Sequence, residues 1–211
     1  MKVLIVSGGK EPSKELLIHQ AKIADIIIGA DRGCEVLYNH GLIPDYILGD
    51  FDSIDKEVFK ELVKSEAEII AFNPEKDFTD SELAFEKAVE LGAAEMVLLG
   101  FTGSRMDHFL ANLGLLDKGL DLGIQCEIID NNNRIFLVDK STILKGNKGQ
   151  TISFNFYNTK VENFNIIGAK YPLKNYKFNG FTGRTVSNEF LNEDITITFD
   201  KGKILVFYTN D

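Results

Sequence analysis

Short apolar runs alternate with amphipathic stretches along the first 130 residues of the chain. This alternation of strand and helix patterns predicts an open, mostly parallel sheet with helices on both faces, which is an α/β fold. Six strands are predicted, beginning at Val3, Asp25, Asp45, Ala67, Glu95 and Gln125. Two sets of apolar residues recur at helical spacing, namely Ile54, Val58, Phe59, Leu62 and Val63, and then Leu83, Ala84, Ala88 and Leu91 before a Gly92 stop.

The pattern changes after residue 130. Asn131, Asn132 and Asn133 form a polar break, and apolar and polar residues then alternate in twos. Such alternation is typical of half-buried antiparallel strands, so we predict a C-terminal antiparallel β-sandwich. Its predicted strands begin near Thr151, Val161, Asp194 and Lys203. The predicted domains are therefore residues 1–130 and 131–211.

Composition narrows the possible functions. With 211 residues and 44% hydrophobic content, the chain can bury a substantial core. The net charge of -9 argues against binding to a nucleic-acid backbone, which requires a basic surface. No apolar stretch approaches the roughly 20 residues that span a bilayer, and the N-terminus is typical of a strand rather than a signal peptide. We therefore expect a cytoplasmic protein with no membrane segment.

The two cysteines, Cys34 and Cys126, have no paired spacing for zinc or for a redox dithiol. Neither lies in a motif with a base that could activate a thiol. We expect both to be reduced and structural.

Acidic residues follow the predicted strands repeatedly, and they are Asp31, Asp50, Asp52, Asp77, Asp80 and Asp107. Because the carboxyl ends of parallel strands meet at one edge of the sheet, these side chains are expected to lie close together. Carboxylates in such proximity repel one another unless a cation shares the site. Mg²⁺ carrying phosphates is the expected cation.

The Gly49–Ser53 segment, GDFDS, gives the sharpest metal signal. Alternation along an extended backbone would place Asp50 and Asp52 on the same side, able to share an ion. The alternative is that Asp52 or Ser53 only caps the following helix. Asp80 likewise occupies a position where a helix N-cap is expected.

Three loops have the composition of phosphate-binding segments. Residues 73–81 bring Lys76 close to two acids, and Arg105 in the segment 100–108 can form paired bonds to phosphate oxygens. Glycines in that segment would let the backbone approach a ligand, and residues 7–10 form a third candidate loop. The GxxxxGK[ST] and GxGxxG signatures are both missing, so nucleotide binding would depend on acids, metal and loop backbone.

These motifs resemble those of the thiamine pyrophosphokinase family over nearly the whole chain. The segments that carry the resemblance are GADRG at Gly29, LGDFDS at Leu48, KDFTDSELA at Lys76, GSRMDHFLANL at Gly103, GAKYPL at Gly168 and VSNEF at Val186. The resemblance implies that the hydroxyethyl oxygen of thiamine attacks the β-phosphorus of ATP, giving thiamine diphosphate and AMP. Mg²⁺ is the implied cofactor and ATP the co-substrate.

The resemblance also implies roles for individual residues. Metal binding falls to Asp50, Asp52 and Asp80, while Asp31, Asp77, Asp107 and Arg105 would be catalytic. Lys76 and Arg32 would bind phosphate, and Ser187 and Asn188 match the motif that holds the aminopyrimidine. Phosphoryl-type transfer requires mainly alignment and neutralisation of charge, which agrees with an acidic, metal-binding site. The general base stays open, with Asp107 as a candidate.

In the family, thiamine lies between the nucleotide domain of one subunit and the sandwich of another, which implies a homodimer with composite active sites. Some members stack an aromatic residue on the pyrimidine, and this chain has no Trp. Tyr171 and Tyr176 are the candidates for that position.

Two alternative functions are compatible with the same residues. One is a pyrophosphokinase for another small alcohol such as a pterin. The motif in the sandwich is the feature that would distinguish a thiamine enzyme from this alternative. The other is a nonenzymatic sensor of MgATP or thiamine diphosphate. The complete acidic set argues against a sensor, which would not need every carboxylate.

Overall fold

The chain folds into two compact units, Met1–Asn131 and Asn132–Asp211. The computed structural model describes residues 1–72, 78–178, 180 and 182–210. None of the helices in these ranges is both long and apolar enough to cross a membrane.

The first unit contains a parallel sheet, as predicted. Its strands are β1 (Lys2–Val6), β2 (Ile26–Ala30), β3 (Tyr46–Gly49), β4 (Glu68–Ala71), β5 (Glu95–Leu99) and β6 (Gln125–Ile129). The helices are α1 (Lys14–Ile23), α2 (Gly33–Asn39), α3 (Lys56–Val63), α4 (Asp80–Glu90) and α5 (Met106–Asp121). Every strand pairing within this unit is parallel, in the order β6-β5-β1-β2-β3-β4. Residues 3–6 of β1 are fully buried, as expected for a strand covered on both faces.

The strand order reverses beside β1. The chain runs outward from β1 to β4 and then returns to place β5 on the other side of β1. In open α/β sheets, ligands bind outside the carboxyl ends of the strands at such a switch point. The loops after β1 and β5 therefore flank the crevice, and the loops after β2 and β3 lie next to them.

Local signals explain where two of the helices begin and end. Thr79 caps α4 in a capping box with Glu82, so the expectation of Asp80 as N-cap is wrong by one residue. Gly92, with φ of 83°, follows the helix as predicted. In α3 the N-cap is Asp55, whose carboxylate accepts two backbone N–H bonds, so Asp52 and Ser53 are not the cap of that helix.

The second unit is an antiparallel β-sandwich, which confirms the predicted fold class. Its strands are β7 (Asn133–Val138), β8 (Thr142–Leu144), β9 (Thr151–Tyr157), β10 (Phe164–Ile167), β11 (Leu173–Tyr176), β12 (Asn188–Glu189), β13 (Ile195–Thr198) and β14 (Lys203–Thr209). One layer has the order β12-β9-β14-β7 and the other β11-β10-β13-β8. Side chains of both layers share one core, in which Phe154 and Phe164 meet edge to face with centroids 5.7 Å apart.

Candidate active site

Three carboxylates converge at the carboxyl edge of the parallel sheet. Asp31 follows β2, and Asp50 and Asp52 follow the neighbouring strand β3. One oxygen from each of the three lies within 4.8 Å of the others, a separation that allows them to share a metal ion. Among the described residues, this is the group of acidic side chains with metal-binding geometry. Its oxygen-only donor set fits Mg²⁺, a hard cation that prefers carboxylates and phosphate oxygens.

The backbone of this cluster adopts conformations that non-glycine residues rarely occupy. Asp31 has φ of 50° and Phe51 has φ of 62°. Such residues cluster at functional sites, where the surrounding structure holds them in place. The Phe51 ring stacks on Phe59 of α3 with centroids 4.8 Å apart, which anchors the turn. Asp50 and Asp52 therefore lie together as predicted, but a turn at Phe51 brings them together, not alternation along an extended backbone.

Two hydrogen bonds fix the carboxylates within the cluster. The backbone N–H of Asp52 donates to Oδ1 of Asp50 at 3.2 Å. The hydroxyl of Ser53 donates to Oδ1 of Asp31, which ties the loop after β3 to the end of β2. Sequence reasoning assigned no such role to Ser53, although its place in the GDFDS segment next to two acids was the available signal.

The carboxylates of the cluster repel one another. A hydrogen bond to Asp50 and the negative charge of Asp50 raise the pKa of the Asp52 carboxyl, and the charges of Asp31 and Asp80 add to the rise. Like charges held this close favour the protonated form of one of them. A divalent cation would relieve this repulsion, because it favours the ionised carboxylates.

Asp80 lies outside the group of three, but its negative charge contributes to the raised pKa of Asp52. It is the first residue of α4, and the next residue, Ser81, shares a hydrogen bond with Ser7 at 2.9 Å between their hydroxyl oxygens. This bond joins the start of α4 to the loop after β1. Lys76 and Asp77, which were also predicted site residues, lie outside the described residues.

The loops after β1 and β5 pack directly against each other. The N–H of Gly9 donates to the carbonyl of Gly100 at 2.9 Å, and the N–H of Lys10 donates to that of Thr102 at 2.5 Å. A Cβ on Gly9 would lie 2.1 Å from the Thr102 carbonyl oxygen, so no larger residue fits there. Gly100 was predicted to let the backbone approach a ligand, and Gly9 was predicted to belong to a candidate phosphate loop. In the structure, the absence of a side chain at these glycines allows the two loops to pack closely against each other.

The loop after β5 ends at Arg105, directly before α5. Its guanidinium holds the Asp107 carboxylate in a paired contact, with Nη2 to Oδ2 at 2.6 Å and Nε to Oδ1 at 3.3 Å. This pairing lowers the pKa of the Asp107 carboxyl to about 2. Asp107 therefore orients the guanidinium of Arg105 through two hydrogen bonds. Both side chains are largely exposed at the edge of the sheet.

Arg32 lies beside the loop after β1. Its exposed side chain starts next to Gly8, because a Cβ on that glycine would lie 2.8 Å from the Cβ of Arg32. The base of the Arg32 side chain therefore lies next to the loop at residues 7–10.

In the sandwich, Asn188 and Ser187 differ sharply in exposure. Asn188 is 4% exposed, and its amide oxygen accepts bonds from the N–H groups of Tyr171 and Glu189 at 3.0 and 2.9 Å. Its amide nitrogen donates to the Tyr171 carbonyl at 2.8 Å. Asn188 therefore holds the backbone of Tyr171, whose ring is 60% exposed. Ser187 is exposed, with φ of 57°.

The two candidate tyrosines also differ. The Tyr176 ring packs edge to face on the buried Phe178, with centroids 5.0 Å apart, and is only partly exposed. Tyr171 projects from the surface, with the Lys170 ammonium 5.6 Å from its ring centroid. Tyr171 is therefore the residue of the two that can offer a ring face to a ligand.

Both cysteines are buried free thiols, as predicted. Burial raises the pKa of each thiol to about 12, and the negative charge of Asp31 adds to the rise at Cys34. Neither is a nucleophile at neutral pH, since the thiolate is the reactive form.

An open parallel sheet with an acidic cluster at its carboxyl edge, followed in the chain by an antiparallel sandwich, defines a narrow class of two-unit α/β proteins. Comparison with known proteins agrees at both units. Residues 18–128 match the model of the thiamin pyrophosphokinase catalytic domain, and residues 140–204 match that of the thiamin pyrophosphokinase vitamin B1 binding domain.

Individual relatives cover the whole chain. The thiamine pyrophosphokinase of Bacillus subtilis (strain 168) is 32% identical over 209 residues, which are 98% of each chain. The crystal structure of thiamine pyrophosphokinase from Bacillus subtilis superposes with a TM-score of 0.87 at 30% identity, covering 100% of both chains. A thiamin pyrophosphokinase family protein from Enterococcus faecalis gives a TM-score of 0.85 at 32% identity, again over 100% of both.

The chain belongs to the thiamine pyrophosphokinase family, which confirms the resemblance seen in its motifs. It is an enzyme of the thiamine diphosphokinase type.

Proposed function

We propose that this enzyme transfers the pyrophosphate group of ATP to the hydroxyethyl oxygen of thiamine, giving thiamine diphosphate and AMP. In this step a bond forms between the thiamine oxygen and the β-phosphorus of ATP. The bond from that phosphorus to the oxygen bridging to the α-phosphorus breaks, AMP leaves, and the hydroxyl proton is released. The observation that carries the proposal is the convergence of Asp31, Asp50 and Asp52 in a chain that matches the family over both units.

Asp50 and Asp52 are the proposed principal ligands of Mg²⁺, with Asp31 beside them. Bound there, the cation would neutralise charge on the phosphates and polarise the phosphorus under attack. The chain's own residues hold the ligand oxygens in place through the turn at Phe51 and the hydroxyl of Ser53. Asp80, at the start of α4, would add negative charge that favours retention of the cation.

Phosphate binding is assigned to the cationic groups at the same edge. The Arg105 guanidinium has five N–H donors in a planar arrangement. Asp107 accepts bonds from two of its nitrogens, so the remaining donors are available for phosphate oxygens. Arg32, beside the loop at residues 7–10, is a second candidate for phosphate contact. Lys76 and Asp77 keep the roles implied by the family.

We assign thiamine recognition to the sandwich. The exposed ring of Tyr171 would stack on the aminopyrimidine, and the exposed Ser187 would hydrogen-bond it. Asn188 would act indirectly by holding the Tyr171 backbone. The family resemblance further supports a cytoplasmic homodimer in which one subunit's sandwich completes the other subunit's site.

The test is a product-resolved assay with purified protein, Mg²⁺, ATP and thiamine. We expect AMP and thiamine diphosphate in equal amounts, and no product after chelation of the metal or in the Asp50→Asn variant. Formation of ADP with thiamine monophosphate would overturn the proposal, as would intact ATP. A pterin alcohol in place of thiamine serves as the competing acceptor, and faster turnover with it would assign the enzyme to that substrate instead.

A further inference from the structure

The carboxyl end of β6 carries a buried carboxylate that the proposed reaction does not use. Asp130 is 7% exposed, and its Oδ2 accepts a hydrogen bond from the Thr102 hydroxyl at 2.8 Å. Thr102 lies in the loop after β5, three residues before Arg105. A charged group is rarely buried unless hydrogen bonds compensate for its lost hydration, so this position has a specific structural use.

The next residue bonds the other loop of the switch point. Asn131 accepts the N–H of Ser13 on its Oδ1 at 2.6 Å and donates to the Glu11 carbonyl at 3.4 Å. Two consecutive residues therefore hold the segments after β1 and after β5. Both lie between the matched ranges 18–128 and 140–204, on either side of the predicted domain boundary.

Thr102 links the end of β6 to the loop after β1. Its hydroxyl donates to Asp130, while its carbonyl accepts the N–H of Lys10 in the loop after β1. Asn112 of α5 holds the adjacent Phe101 carbonyl at 2.8 Å. The loop that leads to Arg105 is thus fixed from three sides before any ligand arrives.

We propose that Asp130 and Thr102 are positioning residues for the triphosphate of ATP. They hold the loop at residues 100–105 against the loop at residues 7–10, so that Arg105 and the loop backbone are preorganised for phosphate. This inference rests on the proposed function. Phosphoryl transfer depends on precise alignment of the reacting groups. Residues that do not touch the substrate maintain this alignment by holding the residues that do.

The experiment compares Thr102→Val, Asp130→Asn and the double variant in the full-length protein. Thr102→Val keeps the shape of the side chain and removes the hydroxyl donor. We expect Thr102→Val to raise the KM for MgATP about 10-fold and to leave the KM for thiamine unchanged, as is typical when a residue that orients a site's binding groups is replaced. Asp130→Asn should raise the KM for MgATP less, because the Asn amide oxygen can still accept the Thr102 hydroxyl. The effects of the two single changes on this KM should not add in the double variant, because the two side chains share a hydrogen bond. Thr102→Ser should restore the wild-type KM.

Asp45→Asn is the matched control, because Asp45 accepts the Ile27 N–H at 2.7 Å at the opposite, amino edge of the sheet. It should lower the melting temperature without changing either KM. If Thr102→Val lowered the melting temperature and left the KM for MgATP unchanged, Thr102 would be merely structural and the inference would be overturned. Equal rises in both KM values would overturn it as well. Should Asp130→Asn fail to fold, Thr102→Val and Thr102→Ser decide the outcome.

Direct binding of MgATP, measured by calorimetry, separates this inference from the proposed function. If the wild type binds MgATP but does not pyrophosphorylate thiamine, the proposed function fails, and a weaker Kd in Thr102→Val still supports the positioning role. If the wild type does not bind MgATP, the positioning role is overturned too.

Discussion

The hydroxyl of Ser53 donates a hydrogen bond to the carboxylate of Asp31, and this bond joins the ends of two neighbouring strands of the parallel sheet. The bond occupies one lone pair of Asp31 and orients its other oxygen. In metal sites, replacing a residue that orients a ligand in this way typically lowers metal affinity about 10- to 100-fold.

Replacing Ser53 with alanine should therefore weaken metal binding without unfolding the protein. We expect Ser53→Ala to raise the Mg²⁺ concentration for half-maximal activity about 10-fold, with recovery at saturating Mg²⁺. Activity measured across a magnesium titration checks this. Ser65→Ala is the control, because the Ser65 hydroxyl bonds the Leu62 carbonyl at the end of α3. An unchanged magnesium requirement in Ser53→Ala would contradict the role.

Neutralising one carboxylate of the cluster should affect stability differently with and without metal. Asp50 raises the pKa of Asp52, so repulsion within the pair destabilises the metal-free protein at neutral pH. We expect Asp50→Asn and Asp52→Asn to melt at or above the wild-type temperature in chelator. With Mg²⁺ at about 100 times its Kd, the wild type should gain about 2.7 kcal/mol and the variants almost nothing.

Thermal melts in chelator and in excess Mg²⁺ measure both effects. Asp25→Asn provides the control, because Asp25 accepts the Lys2 N–H at the amino edge of the sheet and should leave the response to Mg²⁺ unaltered. Equal stabilisation of wild type and both variants by Mg²⁺ would show that the ion binds elsewhere.

Much of this fold follows from periodicity alone. The six strands of the parallel sheet lie where the apolar runs placed them, because strands buried on both faces must be apolar throughout. Strands β7, β8, β11 and β12 were not predicted. For β8 and β12 the reason is length, since segments of three and two residues are too short to show alternation. In α3 the predicted apolar set was too long. Ile54 precedes the helix, and Val63 is 52% exposed at its end.

The sequence predicted which residues form the acidic cluster, but it did not predict the backbone geometry that brings them together. Strand ends were enough to bring Asp31 and Asp50 to the same edge, because parallel neighbours end together. The turn at Phe51 could not be predicted, because phenylalanine rarely adopts a positive φ. The stacking of its ring on Phe59, which a local pattern does not reveal, holds this conformation. The partly buried hydrogen bond between Asp130 and Thr102 joins residues 28 positions apart, so no local sequence pattern predicts it.

The ion pair between Arg105 and Asp107 predicts a defined pH dependence. The pKa of Asp107 is lowered from 3.8 to about 2, so the folded protein binds this proton less tightly than the unfolded chain does. The contribution to stability is therefore present above about pH 4 and is lost as the pH falls toward 2. Wild type and Asp107→Asn should differ in melting temperature at pH 6 and converge as the solution is acidified. A difference that stays constant down to pH 3 would contradict this assignment.

The sandwich should contribute to thiamine affinity through Tyr171 and its support. Tyr171→Ala removes the exposed ring. Asn188→Ala removes two hydrogen bonds to the Tyr171 backbone and one to the Glu189 backbone. We expect both variants to raise the KM for thiamine about 3- to 10-fold while the KM for MgATP is unchanged. Asn188→Ala should also cost about 1–3 kcal/mol of stability, because it unpairs partly buried backbone groups.

Steady-state kinetics with each substrate varied in turn separates these effects, and chemical denaturation gives the stability. Tyr171→Phe keeps the ring and should behave as wild type, which would locate the effect in the ring face rather than in the hydroxyl. If Tyr171→Ala left thiamine binding intact, the aromatic platform would have to be another residue.

A homodimer with composite sites makes a quantitative prediction for mixed variants. Asp50→Asn disables the acidic cluster, and Tyr171→Arg places a positive charge where the cationic thiamine would bind, so each protein alone should be nearly inactive. When the two are mixed in equal amounts and allowed to exchange subunits, about half of the dimers carry one copy of each. Each mixed dimer contains one site with both defects and one with neither, so the mixture should recover about a quarter of wild-type activity. If every site belonged to a single chain, mixing would restore nothing, and a sedimentation experiment that found only monomers would contradict the dimer directly.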